Sequence, residues 1–187
     1  MSKIIALTAP SGSGKTTIAR RVLEAFPEMK FSVSATTRPR RRGEKDGVHY
    51  HFVSETQFRQ FIQHGELIEY EEVYPGRFYG TLRREVERAA RTYPVLLDID
   101  VQGAQHVKQL FNDHALTLFI QPPSLEVLAE RLRNRGTETD TTLVERVDKA
   151  RHEITFADRF DAIVINDDLE TAVAETLAHV QAFLEKA

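Results

Sequence analysis

The sequence predicts an α/β fold, a central parallel sheet flanked by helices on both faces. Three observations predict it. Four short apolar runs have the near-continuous character of strands buried on both sides. Segments with helical spacing lie between them, and a Gly/Ser-rich loop joins the first run to the first helix.

The first strand is Lys3 to Thr8, and the helix after it runs from Thr16 to Ala25 with Ile18, Val22 and Leu23 on one face. From about Phe31 to Thr81 the pattern changes. Short alternating segments, Val48-His49-Tyr50-His51-Phe52 and Glu66-Leu67-Ile68-Glu69-Tyr70, flank one helix opened by the capping box Ser54-Glu55-Thr56-Gln57. This stretch reads as a small mixed-β insertion. Val95 to Ile99 and Leu116 to Ile120 are the next strands. Pro122-Pro123 then signals a helix from Ser124 to Arg135, with Leu125, Leu128 and Leu132 inward. Gly136 to Thr142 is short, polar and without apolar anchors, which suits a mobile lid. A helix from Val144 to Ala157, the strand Ala162 to Ile165 and a helix from Leu169 to Leu184 complete the chain. The apolar stripes of these helices are read as core, not as cofactor surfaces.

Composition narrows the function. At 187 residues and 41% hydrophobic, the chain supports one core and a single domain. With 25 basic against 28 acidic residues the net charge is −3, which argues against a nucleic-acid coat. The absence of cysteine removes disulfides, thiolate zinc sites and a cysteine nucleophile. No stretch approaches the ~18 apolar residues that span a bilayer, and the N-terminus lacks a secretory pattern. The expectation is a soluble, cytoplasmic protein with no membrane or nucleic-acid partner; oligomeric state is not legible. Of the basic residues 18 are arginine and 7 lysine, a bias toward forked contacts with phosphates and carboxylates.

Between the first strand and first helix stands Ala9-Pro10-Ser11-Gly12-Ser13-Gly14-Lys15-Thr16-Thr17. It matches the phosphate-loop pattern G-x-x-x-x-G-K-[ST], except that Ala9 takes the place of the first glycine. Successive backbone N–H groups and the helix N-terminus would cradle an anion. Lys15 would reach the β- and γ-phosphates, and the Thr16 hydroxyl would ligate magnesium. If position 9 needs positive φ, alanine there costs about 1 kcal/mol. Asp98 and Asp100 end the strand Val95 to Ile99. Each reads alone as a helix cap or turn residue as readily as a holder of the magnesium water shell; pairing with Lys15 and Thr16 favours the second.

A second constellation runs from Ser32 to Glu44, with arginines at 38, 40, 41 and 42. Such a cluster is also what a nucleic-acid patch or a solvated loop looks like. Its setting among hydroxyls and glycine, in a chain already fitted for a nucleoside triphosphate, favours a second phosphate-bearing substrate whose repulsion the arginines would neutralise.

These motifs, with G-E-L-I-E-Y, F-Y-G-T, L-D-I-D-V-Q-G, P-P-S, R-x-R-G-T and I-N-D-D-L following in order, resemble those of guanylate kinases nearly end to end. The resemblance implies a P-loop kinase with a core of about 1–33 and 82–187, a GMP-binding insertion of about 34–81 and a lid of about 134–148. It implies that Arg38, Arg41, Tyr50 and Tyr79 hold the GMP phosphate and that Ser34, Glu69, Thr81 and Asp100 read guanine. On the ATP side it implies the loop Ala9 to Thr17, Arg131 and Asn166, with Lys15, Arg38, Arg135 and Arg146 acting on the transferring phosphates. Mg2+ would be held by Thr16 and, through water, by Asp98. Arg131 reads equally as a partner of its helix dipole, and Glu69 as one solvated glutamate among Glu66, Glu71 and Glu72. Pro39 stands one place earlier than is usual in the family, which leaves Arg40 as an alternative to Arg41. Tyr74-Pro75-Gly76-Arg77 is one residue longer than the common form. The expected reaction is ATP + GMP = ADP + GDP by direct in-line transfer. The alternatives are an inactive protein-binding module of the same fold and a related kinase with another phosphate acceptor.

Overall fold

The computed structural model describes residues 3–134 and 140–186. In chain order the elements are β1 (Ile4–Thr8), α1 (Lys15–Ala25), β2 (Lys30–Phe31), β3 (Ala35–Thr36), β4 (His51–Phe52), α2 (Glu55–Gln63), β5 (Leu67–Tyr74) and β6 (Arg77–Leu82). Then follow α3 (Arg83–Ala89), β7 (Val95–Asp98), α4 (Val101–Phe111), β8 (Ala115–Gln121), α5 (Leu125–Asn134), α6 (Asp140–Ile154), β9 (Ala162–Ile165) and α7 (Leu169–Glu185).

Five strands form a parallel sheet in the order β2-β7-β1-β8-β9. Side-chain alternation along β1 divides the core between its two faces. Ile4 and Ala6 join Val95 and Leu97 against Val86 of α3 and Ala104 and Val107 of α4. Ile5 and Leu7 join Leu96, Leu118 and Ile120 against Ile18 and Val22 of α1 and Val180 and Phe183 of α7. Burial on both faces is why these strands read as unbroken apolar runs.

The sequence suggested four strands here; the sheet has a fifth. β2 is two residues long and both are exposed, so no apolar run announces it. It is tied on by the Lys30 amide donating to the Pro94 carbonyl at 2.9 Å and the Ser32 amide donating to Leu96 at 3.0 Å. Helix α4 was also unannounced. It buries Val101, Ala104, Val107 and Phe111, and its start is fixed by the Asp100 carboxylate, which accepts the Gly103 amide at 2.6 Å. Helix α6 begins at Asp140, about a turn before the expected Val144, because its first turn is polar and carries no apolar periodicity. Residues 135–139 of the expected lid lie outside the described residues.

A second sheet has the order β4-β3-β6-β5, with β3 and β4 parallel and β6 antiparallel to both its neighbours. Its small core is Phe58 and Phe61 of α2 packed on Ala35, Leu67, Phe78 and Leu82, with the Phe58 and Phe78 rings stacked at 5.3 Å. The Ser54 hydroxyl caps α2 by accepting the Gln57 amide at 3.2 Å. Of the expected strand at 48–52 only His51–Phe52 joins the sheet; the preceding residues turn, with an isolated bridge from Tyr50 to Asp46 and the Gly47 amide donating to the Tyr50 carbonyl at 2.8 Å. Among the described residues no helix is long and apolar enough to cross a membrane.

Candidate active site

The carboxyl ends of β1 and β7 open into a cavity of about 410 Å³, walled on its far side by the second sheet and by α6. That is where open parallel sheets place ligands. The loop from β1 to α1 forms its floor. Gly12 and Gly14 take φ of 100° and 90°, a left-handed conformation open to glycine. Among the described residues Asn112 is the one non-glycine with positive φ, so Ala9 bears no such strain. A Cβ on Gly14 would lie 2.4 Å from Asn166 Nδ2. Asn166 is buried beneath the loop and donates that amide to the Ser13 carbonyl at 2.7 Å. Arg131 in turn donates to the carbonyls of Asn166 and Asp167 at 2.9 and 3.2 Å. These two residues therefore brace the loop from behind and do not line the cavity.

Lys15, the first residue of α1, reaches across to β7. Its Nζ lies 2.5 Å from Asp98 Oδ1 and donates to the Ile99 carbonyl at 3.1 Å. Thr16 faces the cavity from the same helix turn. Opposite stand two further acids. Glu69 of β5 accepts the hydroxyl of Thr81, its ladder neighbour on β6, at 2.6 Å. Burial pushes the Glu69 carboxyl up to about 7; Thr81 opposes the rise, while Asp100 and Glu71 add to it. Burial also raises Asp100, against the lowering effect of the Gly103 amide. Asp100 is thus both the cap of α4 and part of the cavity wall.

Arg38 is buried and its fork closes on Glu44, with Nη1–Oε2 at 2.8 Å and Nη2–Oε1 at 2.6 Å. Its guanidinium also lies 5.2 Å from the Tyr50 ring centre and 5.6 Å from that of Phe52. The Arg38 hydrogen bond holds the Glu44 carboxyl down at about 2, helped by the Arg41 amide. Arg41 itself is exposed. Tyr50 and Tyr79 meet edge to face at 5.8 Å and both line the cavity, as does Ser34.

The last wall is α6. Arg146 Nη1 lies 3.4 Å from the Ser11 hydroxyl. Lys149 pairs with Glu71 of β5 at 2.8 Å, joining α6 to the second sheet. Glu153, one turn on, is pushed up to about 7 by burial, against Lys149 and with Glu71. Glu71, Lys149 and Glu153 were not singled out in the sequence, and neither were Phe31, His49 and Gly80, which also line the cavity. Lys149 and Glu153 at i and i+4 look like an ordinary solvated helix pair, so only the fold brings them here.

Of the residues selected from sequence, Ala9 to Gly12, Gly14 to Thr17, Ser34, Tyr50, Glu69, Tyr79, Asp98, Asp100 and Arg146 share this cavity. Ser13, Arg38, Thr81 and Asn166 are buried just behind its surface. Arg135 lies outside the described residues. The donor set also fits a magnesium ion. Mg2+ is commonly held by one or two carboxylates, a hydroxyl, water and substrate phosphate rather than by a protein cage. Thr16 and Asp98 offer the hydroxyl and one carboxylate, and no cluster of three or more metal-binding side chains occurs among the described residues.

Comparison with known proteins matches the guanylate kinase family model to residues 1–187. The chain is 60% identical over 181 residues to a guanylate kinase of Salinibacter ruber, covering 97% of this chain and 96% of that one. It is 50% identical over 185 residues to a guanylate kinase of Chlorobium luteolum, covering 98% and 93%. Its fold superposes on the crystal structure of a guanylate kinase from Anaplasma phagocytophilum with a TM-score of 0.78 and 33% identity, over 100% of this chain and 88% of that one.

Proposed function

Because the chain belongs to the guanylate kinase family, we propose that it transfers the γ-phosphoryl group of ATP to GMP, giving ADP and GDP. A phosphate oxygen of GMP forms the new bond to the γ-phosphorus as the bond from that phosphorus to the β–γ bridging oxygen breaks. ADP leaves on the far side. No covalent intermediate on the protein and no general base are needed; catalysis is positioning and charge neutralisation.

The observation that carries this reading is the sharing of one cavity by a phosphate loop and, on the facing sheet, the half-buried Glu69 carboxylate paired with Thr81. The loop from Ala9 to Thr17 receives the ATP phosphates, with Lys15 leaving Asp98 to reach them. Arg146 and Arg135 neutralise the transferring group. Mg2+, held by Thr16 and through water by Asp98, would shield the phosphate charges. On the other side Tyr50, Tyr79, Arg38 and Arg41 hold the GMP phosphate. This requires Arg38 to share its fork between phosphate and Glu44. Ser34, Glu69, Thr81 and Asp100 read guanine.

Chemistry favours Glu69 as the selector. Guanine presents a ring N–H beside an amino group, and one carboxylate accepts both. Adenine lacks that donor pair and would leave the carboxylate unpaired, a mismatch worth roughly 10⁴-fold in sites built on hydrogen bonds. The reading also takes residues 1–33 and 82–187 as the core, 34–81 as the GMP-binding region and 134–148 as the lid. It places the enzyme in cytoplasmic purine nucleotide metabolism. Arg131 and Asn166 serve ATP by supporting the loop from behind.

ADP release measured with GMP, AMP, UMP or no acceptor tests this directly. GMP-dependent release is expected; ATP hydrolysis without GMP, or equal use of AMP, refutes it. Glu69→Gln is expected to relax the choice of acceptor base, and full selectivity for GMP in that variant would sink the selector role.

A further inference from the structure

Gly103 is the third residue of α4 and is buried, with φ outside the positive region. Nothing in its backbone asks for glycine, and inside a helix alanine is ordinarily the more favourable residue. Its surroundings give a different reason. A Cβ built at position 103 would lie 2.7 Å from Glu69 Cγ, 3.0 Å from Glu69 Oε2 and 2.9 Å from Asp100 Oδ1. The Gly103 amide is also the donor to Asp100 Oδ1. The bare Cα therefore forms the seat on which the Glu69 side chain rests, and one residue aligns both acids of the cavity wall.

We propose that Gly103 is a positioning residue for guanine selection: its missing side chain is what lets the Glu69 carboxylate stand where it can pair with the base. The inference rests on Glu69 reading guanine and goes beyond it by assigning the steric support of that carboxylate to the first turn of α4. Of the atoms in conflict, those of Glu69 include the closest and can rotate aside, whereas Asp100 Oδ1 is held by the Gly103 amide it accepts. An added methyl group should then leave the fold intact and displace the carboxylate, so the loss falls on acceptor recognition alone.

The test compares Gly103→Ala, Glu69→Ala and the double variant in steady-state kinetics and in thermal melts without nucleotide. Gly103→Ala is expected to raise KM for GMP by about tenfold to a hundredfold, the range for losing hydrogen bonds to a charged group. KM for ATP should stay within about twofold, because the atoms nearest the added methyl belong to Glu69 and Asp100 and not to the phosphate loop. Glu69→Ala removes Cγ and Oε2 and with them the closest overlap, leaving only the 2.9 Å approach to Asp100 Oδ1. In that background Gly103→Ala should add a much smaller rise in KM than it does in the parent, the remainder being set by its approach to Asp100. Two results overturn the inference while leaving Glu69 as selector: a GMP KM unmoved by Gly103→Ala, or an equal penalty from Gly103→Ala with and without the Glu69 side chain. An unmoved GMP KM in Glu69→Ala refutes the selector role itself, and the assignment of Gly103 falls with it.

Discussion

Replacing Glu69 with glutamine should make the nucleotide-free protein more stable in neutral solution while impairing its choice of acceptor. Glu69 is moved by burial from an ordinary 4.5 to about 7. Below about 4.5 it is protonated whether the chain is folded or not, and it is neutral in its effect. Between 4.5 and 7 the folded protein keeps a proton that the unfolded chain has released, so stability declines as pH rises. Above 7 the decline is complete, because the carboxylate is then held ionised in the cavity wall. A tenfold change in acidity corresponds to about 1.4 kcal/mol, which sets an upper bound of roughly 3–4 kcal/mol. Glutamine removes the charge but keeps an oxygen to accept the Thr81 hydroxyl. The gain of Glu69→Gln over the parent should therefore be near zero at pH 4.5 and grow to its maximum by pH 8. At roughly 2–4 °C per kcal/mol for a chain of this size, it is large enough for thermal melts. Glu153 titrates in the same window but does so in both proteins and cancels in the difference. A glutamine variant less stable than the parent at pH 8, or a difference that does not change with pH, would refute the reasoning.

Three other substitutions probe separate supports. Lys15→Ala should lower single-turnover phosphoryl transfer by about 10³-fold or more while the far-ultraviolet circular dichroism stays unchanged. Asn166→Ala leaves the buried Ser13 carbonyl without its donor and should cost about 1–3 kcal/mol in urea unfolding, together with a higher KM for ATP. Glu44→Gln takes the charged partner from Arg38, so amide exchange across residues 38–50 should quicken at pH 6. In the parent that protection should persist well below the usual carboxylate range and fade only as pH falls toward about 2, where Glu44 gains its proton.

Legibility in the sequence followed burial. β1, β7 and β8 were visible because both of their faces are covered, leaving little room for polar residues, and β9 because its four residues are all apolar although Ile165 is exposed. β2 was invisible because two exposed residues make no pattern. α4 has buried positions at helical spacing, but no apolar run or proline marks it; its one local signal is Asp100, which is its cap. The phosphate loop is contiguous and so could be read residue by residue. The base-reading acids are not. Glu69 stands among other glutamates of β5, and what distinguishes it is Thr81 from the neighbouring strand and Gly103 from another layer. Those are contacts that only folding creates, and resemblance to a family supplied in advance what periodicity could not. Lys149 and Glu153 had no such help, because a charged pair on a helix looks the same facing water or facing a cavity.

The bond from Asn166 to Ser13 spans nearly the whole chain, which bears on the order of assembly. β1 and its loop are synthesised first, yet β1 lies between β7 and β8, strands made some ninety to a hundred and ten residues later. The loop gains its lower support only after β9 has docked on β8. Contacts this distant in sequence form slowly, so competence to hold a triphosphate should be among the last properties acquired on refolding. A nucleotide added to the refolding chain should therefore act as a late trap, pulling the final docking step forward while leaving the earlier collapse at its own pace.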